Sequence, residues 1–536
     1  MTHASAVSSA LDRLARAPWW TLCLGLGVLM AASVLTVGFR LPYWVHADQD
    51  LVLAYHGLLF ADGLPQEYFD HPGYVYFLVI DGWYRLLHAL GLLPVANLSA
   101  LPPIADATAN AAAWQSLIEA GRALSIALTA LFAVTYASLV RALVGDRRIA
   151  LLAGLLLAFG VGLTAQGRQM RTDLLSAGFV VTALLLVLVA VRQPSNRSGR
   201  ALLGLGLAGL LVGLAMATKV QAVFLALGLP VAALLFGRRS ETAYGGDGGW
   251  SRTGLLMAAA AVAAVPAVHL IAQGIADWGQ AVYPYKPVGA GLSGRYQGVV
   301  AGWVALGVLL HGWVWRVPLR RTLAALAAVV LGVALGLLVL EIRYHQQNAI
   351  AVANFIEHMF VFTSWRHASA LQEQGQVVGE GLLALLANGI GRTLAIRTIV
   401  LHPDNIPQTI VVEWFALVGA AFLWRRGERL VAIQALFLLL TAWGLESLFS
   451  LRGFQRAYAA YTDPLAILSA AWVLARMPGL LDSPRARRWI LGTVALVIVA
   501  GHIWPIRETR KLPNPTSHCE WIPTYMPRVE PFPFCR

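Results

Sequence analysis

Charge is what this sequence lacks. Only 12% of its 536 residues are Asp, Glu, Lys or Arg, and 58% are hydrophobic; a soluble globular domain carries about 25% charged residues. That balance excludes an ordinary soluble protein and leaves a polytopic membrane protein. Lysine is scarcest: Lys219, Lys286 and Lys511 stand among 40 basic residues. The three cysteines, Cys23, Cys519 and Cys535, are too few for a disulfide scaffold or a cluster site, and no CxxC occurs. HExxH, a P-loop and GxSxG are missing too, so no motif points to a metalloprotease, a nucleotide hydrolase or a serine esterase. Neither a fixed-period repeat nor an inverted duplication of the transporter kind is visible.

A formal charge of +13 would suggest nucleic acid in a soluble chain. Here the arginines fall in short loops between apolar runs, which marks topology, and nucleic acid is not an expected partner. Stretches of about 20 apolar residues, the length that crosses a bilayer, lie near 19–40, 112–140, 149–166, 173–192, 201–217, 220–237, 253–274, 297–315, 322–341, 407–424, 429–448, 463–478 and 488–505. In this count of about 13, six loops fall on one side, those with Arg141, Arg147 and Arg148; Arg192, Arg197 and Arg200; Arg238 and Arg239; Arg316, Arg320 and Arg321; Arg425, Arg426 and Arg429; and Arg485, Arg487 and Arg488. The positive-inside rule makes that side cytoplasmic, with the N-terminus inside and the C-terminus outside. Arg13 and Arg16 before an apolar run resemble a signal peptide, but the run is long and has no small-residue cleavage site, so it reads as an uncleaved first helix. The runs 74–94, with Asp81, Arg85 and His88, and 381–400, with Arg392 and Arg397, would invert the later arginine loops if they crossed. Both therefore stay outside, the first as an interfacial helix.

The expected architecture is all-α and polytopic, with juxtamembrane helices on the outer face. Residues 1–505 form the membrane domain, including outer loops 42–111 and 342–406, and 506–536 form an outer tail. In an oxidising compartment Cys519 and Cys535 either pair or remain free. The Gly/Ser-rich stretch 238–252 is an inner linker.

Reactive side chains concentrate on the outer side. The segment from Tyr43 to Tyr76 gathers Asp48, Asp50, Asp62, Glu67 and Asp70 with His46, His56 and His71. Leu51, Tyr55, Leu58 and Leu59 recur at helical spacing, which predicts an amphipathic helix over 48–62 on the membrane surface. Asp48 at its start is either a helix cap or a catalytic carboxylate, and Asp50 either a second member of the site or a first-turn acid. The polar turn from Gln166 to Asp173 carries Arg168 and Arg171, which share a face if it is helical. These cations either hold an anionic ligand or are partly neutralised by an Arg171–Asp173 surface pair. Lys219, at a turn between two apolar spans, either meets an anion or snorkels to the interface. Arg456, Tyr458, Tyr461 and Asp463 offer basic and phenolic donors for a phosphate, or form an aromatic belt. His345, Asn348, His358, Trp365 and His367 could line a pocket in the second large loop, but their spacing makes no convincing metal site.

Taken in order, several short elements resemble polyprenyl-phosphate-sugar-dependent membrane glycosyltransferases of GT-C type. They are Asp48-Gln49, Gly63, His71-Pro72-Gly73, the Arg168 to Asp173 turn, Gly213-Leu-Ala-Met-Ala-Thr218-Lys219 and Arg456 to Leu468. The closest likenesses are to protein O-mannosyltransferases and to the transferases that add aminoarabinose to lipid A. Those families open the first outer loop with a DE pair, follow with a glycine and an (H/K)PP element, and place a glycine after the lysine. Here Gln49, Gly73 and Val220 depart from that pattern.

The resemblance implies inverting transfer of a sugar from a polyprenyl-phosphate donor to an acceptor hydroxyl at the outer membrane face. Asp48 would be the general base, with Asp50 its alternative, and Asp173 would orient Arg171 or the sugar. Lys219, Arg168, Arg171, Arg456 and Tyr458 would meet the donor phosphate. His71, Tyr74 and His46 would position substrates. No cofactor is required, and a divalent metal is not obligatory where protein cations already face the leaving phosphate. The implied partners are the lipid-linked donor, the bilayer and a protein, lipid or glycan acceptor. The implied location is a bacterial plasma membrane, and the Arg-over-Lys bias is that of a GC-rich source. A transporter or flippase of lipid-linked glycans is the alternative, and it would distribute polar groups along the spans to the inner face.

Overall fold

The computed structural model describes residues 17–36, 38–46, 49–64, 66–67, 73–193, 198–219, 221–237, 290–347, 410–449, 458–508, 512, 514–520 and 522–535. Asp48, His71, Arg456, the expected span 253–274, the linker 238–252 and the second large loop from Asn348 to 409 lie outside these. Among the described residues the chain is helical, with no strand. In lipid only helices or closed barrels satisfy every backbone polar group internally, so long apolar runs take this form.

The principal helices are α1 (Trp19–Thr36), α2 (Asp50–Ala61), α3 (Tyr74–Ala89), α4 (Ala107–Val144), α5 (Arg147–Ala158), α6 (Val161–Gly167), α7 (Thr172–Arg192), α8 (Ser198–Thr218), α9 (Ala222–Phe236), α10 (Ala290–Val314), α11 (Leu319–Gln347), α12 (Ile410–Arg425), α13 (Arg429–Phe449), α14 (Ala459–Leu474) and α15 (Pro484–Glu508). Among the described residues six helices are long and apolar enough to cross a membrane, or up to seven if a bent pair is one span. This is an all-α polytopic membrane protein; the count of 13 crossings is not confirmed.

The expected run 149–166 is the bent pair, α5 and α6, turned by 57°. Gly160 at the break has extended backbone, and a Cβ on Gly162 would lie 2.5 Å from the carbonyl carbon of Ala459. The bend thus lays α6 directly against the start of α14. A second close approach joins α8 to α11, where a Cβ on Gly332 would lie 1.9 Å from the carbonyl oxygen of Gly206. Small residues let membrane helices approach to backbone contact in this way.

The side-chain contacts at the helix ends fall into two dissimilar groups. One end gathers arginines: Arg148 pairs with Asp146 and Asp482, while Arg141 lies over Trp19 and Arg192 over Trp472. The opposite end, called here the loop end, carries α2, α3, the turn 168–171, Lys219 and Tyr458.

At the loop end α2 differs from expectation. It is not amphipathic, because every residue from Asp50 to Phe60 is buried, enclosed by α3, α4 and neighbouring segments. α3 has one buried face, with Tyr76, Ile80 and Tyr84, and one exposed face. Trp83 and Tyr84 anchor it by donating to the carbonyls of Ala120 and Leu117 on α4.

The C-terminal tail packs onto the same assembly. Cys519 and Cys535 form a disulfide, and between them Ile522, Met526 and Phe532 are buried. The Phe532 ring lies 5.6 Å from that of Trp114 and 5.9 Å from that of Tyr43.

Candidate functional site

Two buried carboxylates organise the loop end. Asp50, the first residue of α2, is entirely buried. Its helix starts on the His46 carbonyl, which accepts from the amides of Gln49 at 2.9 Å and Asp50 at 2.7 Å. Asp50 Oδ2 accepts from Arg122 Nε at 2.9 Å, with Nη2 at 2.8 Å, and Oδ1 accepts from the Met170 amide at 2.7 Å. Arg122, equally buried, also donates to the carbonyls of Phe39 at 3.1 Å, Leu41, and Pro42 at 3.3 Å. A buried ion pair survives only when further hydrogen bonds satisfy its remaining atoms, and here they do. Asp50 therefore ties α2 to α4 and to the turn that carries Arg168 and Arg171.

The second carboxylate, Asp173, lies in the first turn of α7 and is also fully buried. Lys219 Nζ stands 2.8 Å from Oδ2 and 2.8 Å from Oδ1, and Arg171 Nε donates to Oδ2 at 3.2 Å. Lys219 is 2% exposed, so it does not snorkel within the protein. Its ammonium also lies 5.5 Å from the centre of the Tyr458 ring, in cation–π range. Ser176 donates to the Ala215 carbonyl at 3.1 Å beneath this group. Arg168 is 7% exposed and donates to the Thr164 carbonyl at 3.1 Å. Burial lowers its pKa to about 10, because a low-dielectric site disfavours the charged form.

The His71-Pro72-Gly73 element joins the site through its last residue. Gly73 has a φ of 65°, and its amide donates to the Thr218 carbonyl, next to Lys219, at 3.0 Å. Proline can neither adopt that φ nor donate, which accounts for glycine where the (H/K)PP element has its second proline.

The structure thus brings together Arg171, Asp173, Lys219 and Tyr458. It sets Arg168 on the same turn as Arg171 and ties Asp50 to that turn at Met170. Tyr74 is fully buried just after Gly73, its ring 6.3 Å from that of Phe60. His46 is partly buried, and its backbone caps α2. Among the described residues no group of three His, Cys, Asp or Glu is placed to hold a metal ion. Sequence reasoning missed Arg122 and its pairing with Asp50; the signal available was a lone guanidinium in the apolar run 112–140.

Residues 111–265, which carry Arg122, Arg168, Arg171, Asp173 and Lys219, match the dolichyl-phosphate-mannose-protein mannosyltransferase family. The chain is similar to membrane glycosyltransferases of GT-C type. A further likeness is to the apo oligosaccharyltransferase of Archaeoglobus fulgidus, with a TM-score of 0.45 and 14% identity. It covers 96% of this chain and 60% of that one, so the chain spans less than two thirds of that protein's length. No curated protein matches the chain.

Proposed function

We propose that the protein moves a sugar from a polyprenyl-phosphate donor to an acceptor hydroxyl at the outer face of a plasma membrane, with inversion. The observation that carries this reading is the buried cationic group at the loop end, within the segment that matches the mannosyltransferase family. Arg168, Arg171 and Lys219 against Asp173 leave two formal positive charges in excess (3 − 1). A sugar phosphodiester carries one negative charge and its leaving phosphate two, so this group favours the transition state over the ground state.

In the proposed reaction the acceptor oxygen attacks the anomeric carbon from the face opposite the phosphate. The bond from that carbon to the phosphate oxygen breaks, and its electron pair departs with the polyprenyl phosphate. Asp48 takes the acceptor proton. Lys219, Arg171 and Arg168 meet the leaving phosphate, with Tyr458 beside Lys219 and Arg456 as a further cation. Asp173 holds Lys219 and Arg171 in place, while His71, Tyr74 and His46 are assigned to the substrates. The cations supply the charge stabilisation, so the proposal invokes no divalent metal or cofactor. The disulfide at the loop end supports an extracytoplasmic site, since disulfides persist in oxidising compartments.

The test is release of polyprenyl phosphate by the purified protein from a radiolabelled polyprenyl-phosphate sugar, with a panel of protein, lipid and glycan acceptors. Label transferred to an acceptor supports the proposal. Translocation of intact donor without release, in proteoliposomes, would replace it with transport.

A further inference from the structure

The disulfide-closed tail reaches the loop end through Arg528. Arg528 Nε donates to Glu67 Oε1, the Tyr55 hydroxyl donates to Glu67 Oε2, and the Arg528 amide donates to the Tyr55 oxygen at 3.4 Å. Tyr55 belongs to α2, the helix that opens with Asp50, and Glu67 lies six positions before Gly73, which docks beside Lys219. Burial of Phe532 against Tyr43 and Trp114 fixes the other side of the same tail segment.

We infer that the loop from Cys519 to Cys535 is a strap, and that Arg528 is a positioning residue for transfer, acting through Glu67 and Tyr55 on the first loop. Two features separate positioning from mere stability. The Arg528 side chain is 41% exposed, and exposed ion pairs contribute little to folding. Its partner, in contrast, is 12% exposed and already holds the buried end of the Tyr55 side chain, so the geometry it sets is transmitted inward. Neither Arg528 nor Glu67 touches the Lys219 group, so donor binding is untouched by the contact.

This inference rests on the transferase reading, and the experiment separates the two. Full-length Arg528→Gln, Arg528→Lys and the double variant Cys519→Ser/Cys535→Ser are compared with the parent protein for donor affinity, kcat, acceptor KM and melting temperature. Amide hydrogen exchange is followed over 51–64 and at Gly73. The expected result for Arg528→Gln and for the cysteine variant is a fall in kcat/KM for the acceptor of about tenfold. Donor affinity stays unchanged in both, melting temperature stays unchanged in Arg528→Gln, exchange at 51–64 is faster, and Arg528→Lys recovers part of the loss. Acceptor kinetics equal to the parent's in Arg528→Gln, or a loss fully explained by a lowered melting temperature, would overturn the inference. If the parent protein shows no transfer at all, the transferase reading fails and the strap is judged by exchange alone. Unaltered protection over 51–64 in both variants then rejects it.

Discussion

The ammonium of Lys219 stands 2.8 Å from each carboxylate oxygen of Asp173, both side chains buried. Arg171 reaches the same carboxylate, so the lysine is held ready rather than loose, and its position is set before any ligand arrives. Preorganised charge of this kind needs no reorganisation when a leaving group develops its own.

Replacing Lys219 with alanine is expected to weaken donor binding and slow transfer by at least about tenfold, roughly 1.4 kcal/mol. Arginine should restore only part, because its planar fork cannot reproduce a compact ammonium between two carboxylate oxygens. Donor-binding and single-turnover measurements on both variants check this, with folding followed in parallel. An alanine variant that binds and reacts like the parent would remove Lys219 from the site.

Asp48 and Asp50 should separate by what asparagine does at each. Asp48→Asn is expected to abolish transfer in a folded, membrane-inserted protein. Asp50→Asn keeps an oxygen for the Met170 amide but loses the charge facing Arg122, so its main expected effect is on stability. Near-normal turnover in Asp48→Asn would reject that residue as the base.

Arg122→Met strands the Asp50 carboxylate in the interior. Breaking one side of a buried pair is expected to lower stability by about 3–5 kcal/mol, and Arg122→Met/Asp50→Leu should recover much of it. Thermal unfolding of the single and double variants gives the comparison. A single variant as stable as the parent would show that the pair carries no such penalty.

Gly73→Ala places a Cβ in the left-handed region, at a strain of about 1–2 kcal/mol, and 2.4 Å from the Phe77 ring. Gly73→Pro, though closer to the family element, is expected to be worse, because it also removes the donor to Thr218. Melting temperatures and transfer rates should both fall in the order glycine, alanine, proline.

His56 supplies a pH test. It is fully buried, stacked on Phe77, with Nδ1 2.7 Å from the Val52 carbonyl. Burial lowers its pKa from 6.5 to about 4. The unfolded chain therefore binds a proton first as pH falls, so this stabilisation is complete above about pH 6.5 and is lost progressively down to about pH 4. Its full extent is on the order of 3 kcal/mol. The fall in melting temperature between pH 7 and pH 4.5 should be smaller in His56→Phe than in the parent.

Some of these relationships were legible along the chain. The polar turn from Gln166 to Asp173 and the lone lysine after Thr218 stood out because each interrupts an apolar background. Their likeness to known elements put them in one site before any contact was visible. α2 was misjudged as amphipathic because a helix enclosed by protein on every side carries no periodic signal that distinguishes it from one lying on a membrane.

What the sequence by itself determined is the helical, membrane-spanning character of the chain. That follows from a local property, since the length of an apolar run sets whether it crosses. Only the tertiary structure decided that Asp50 is claimed by Arg122, 72 positions on, that Asp173 sits between Lys219 and Arg171, and that the tail grips Glu67. Each of those pairings depends on how close two helices pack and how their faces are turned. That is set by side-chain volumes distributed over the whole bundle, including the bend at Gly160 and the glycine contact between α8 and α11, and no window of sequence contains it.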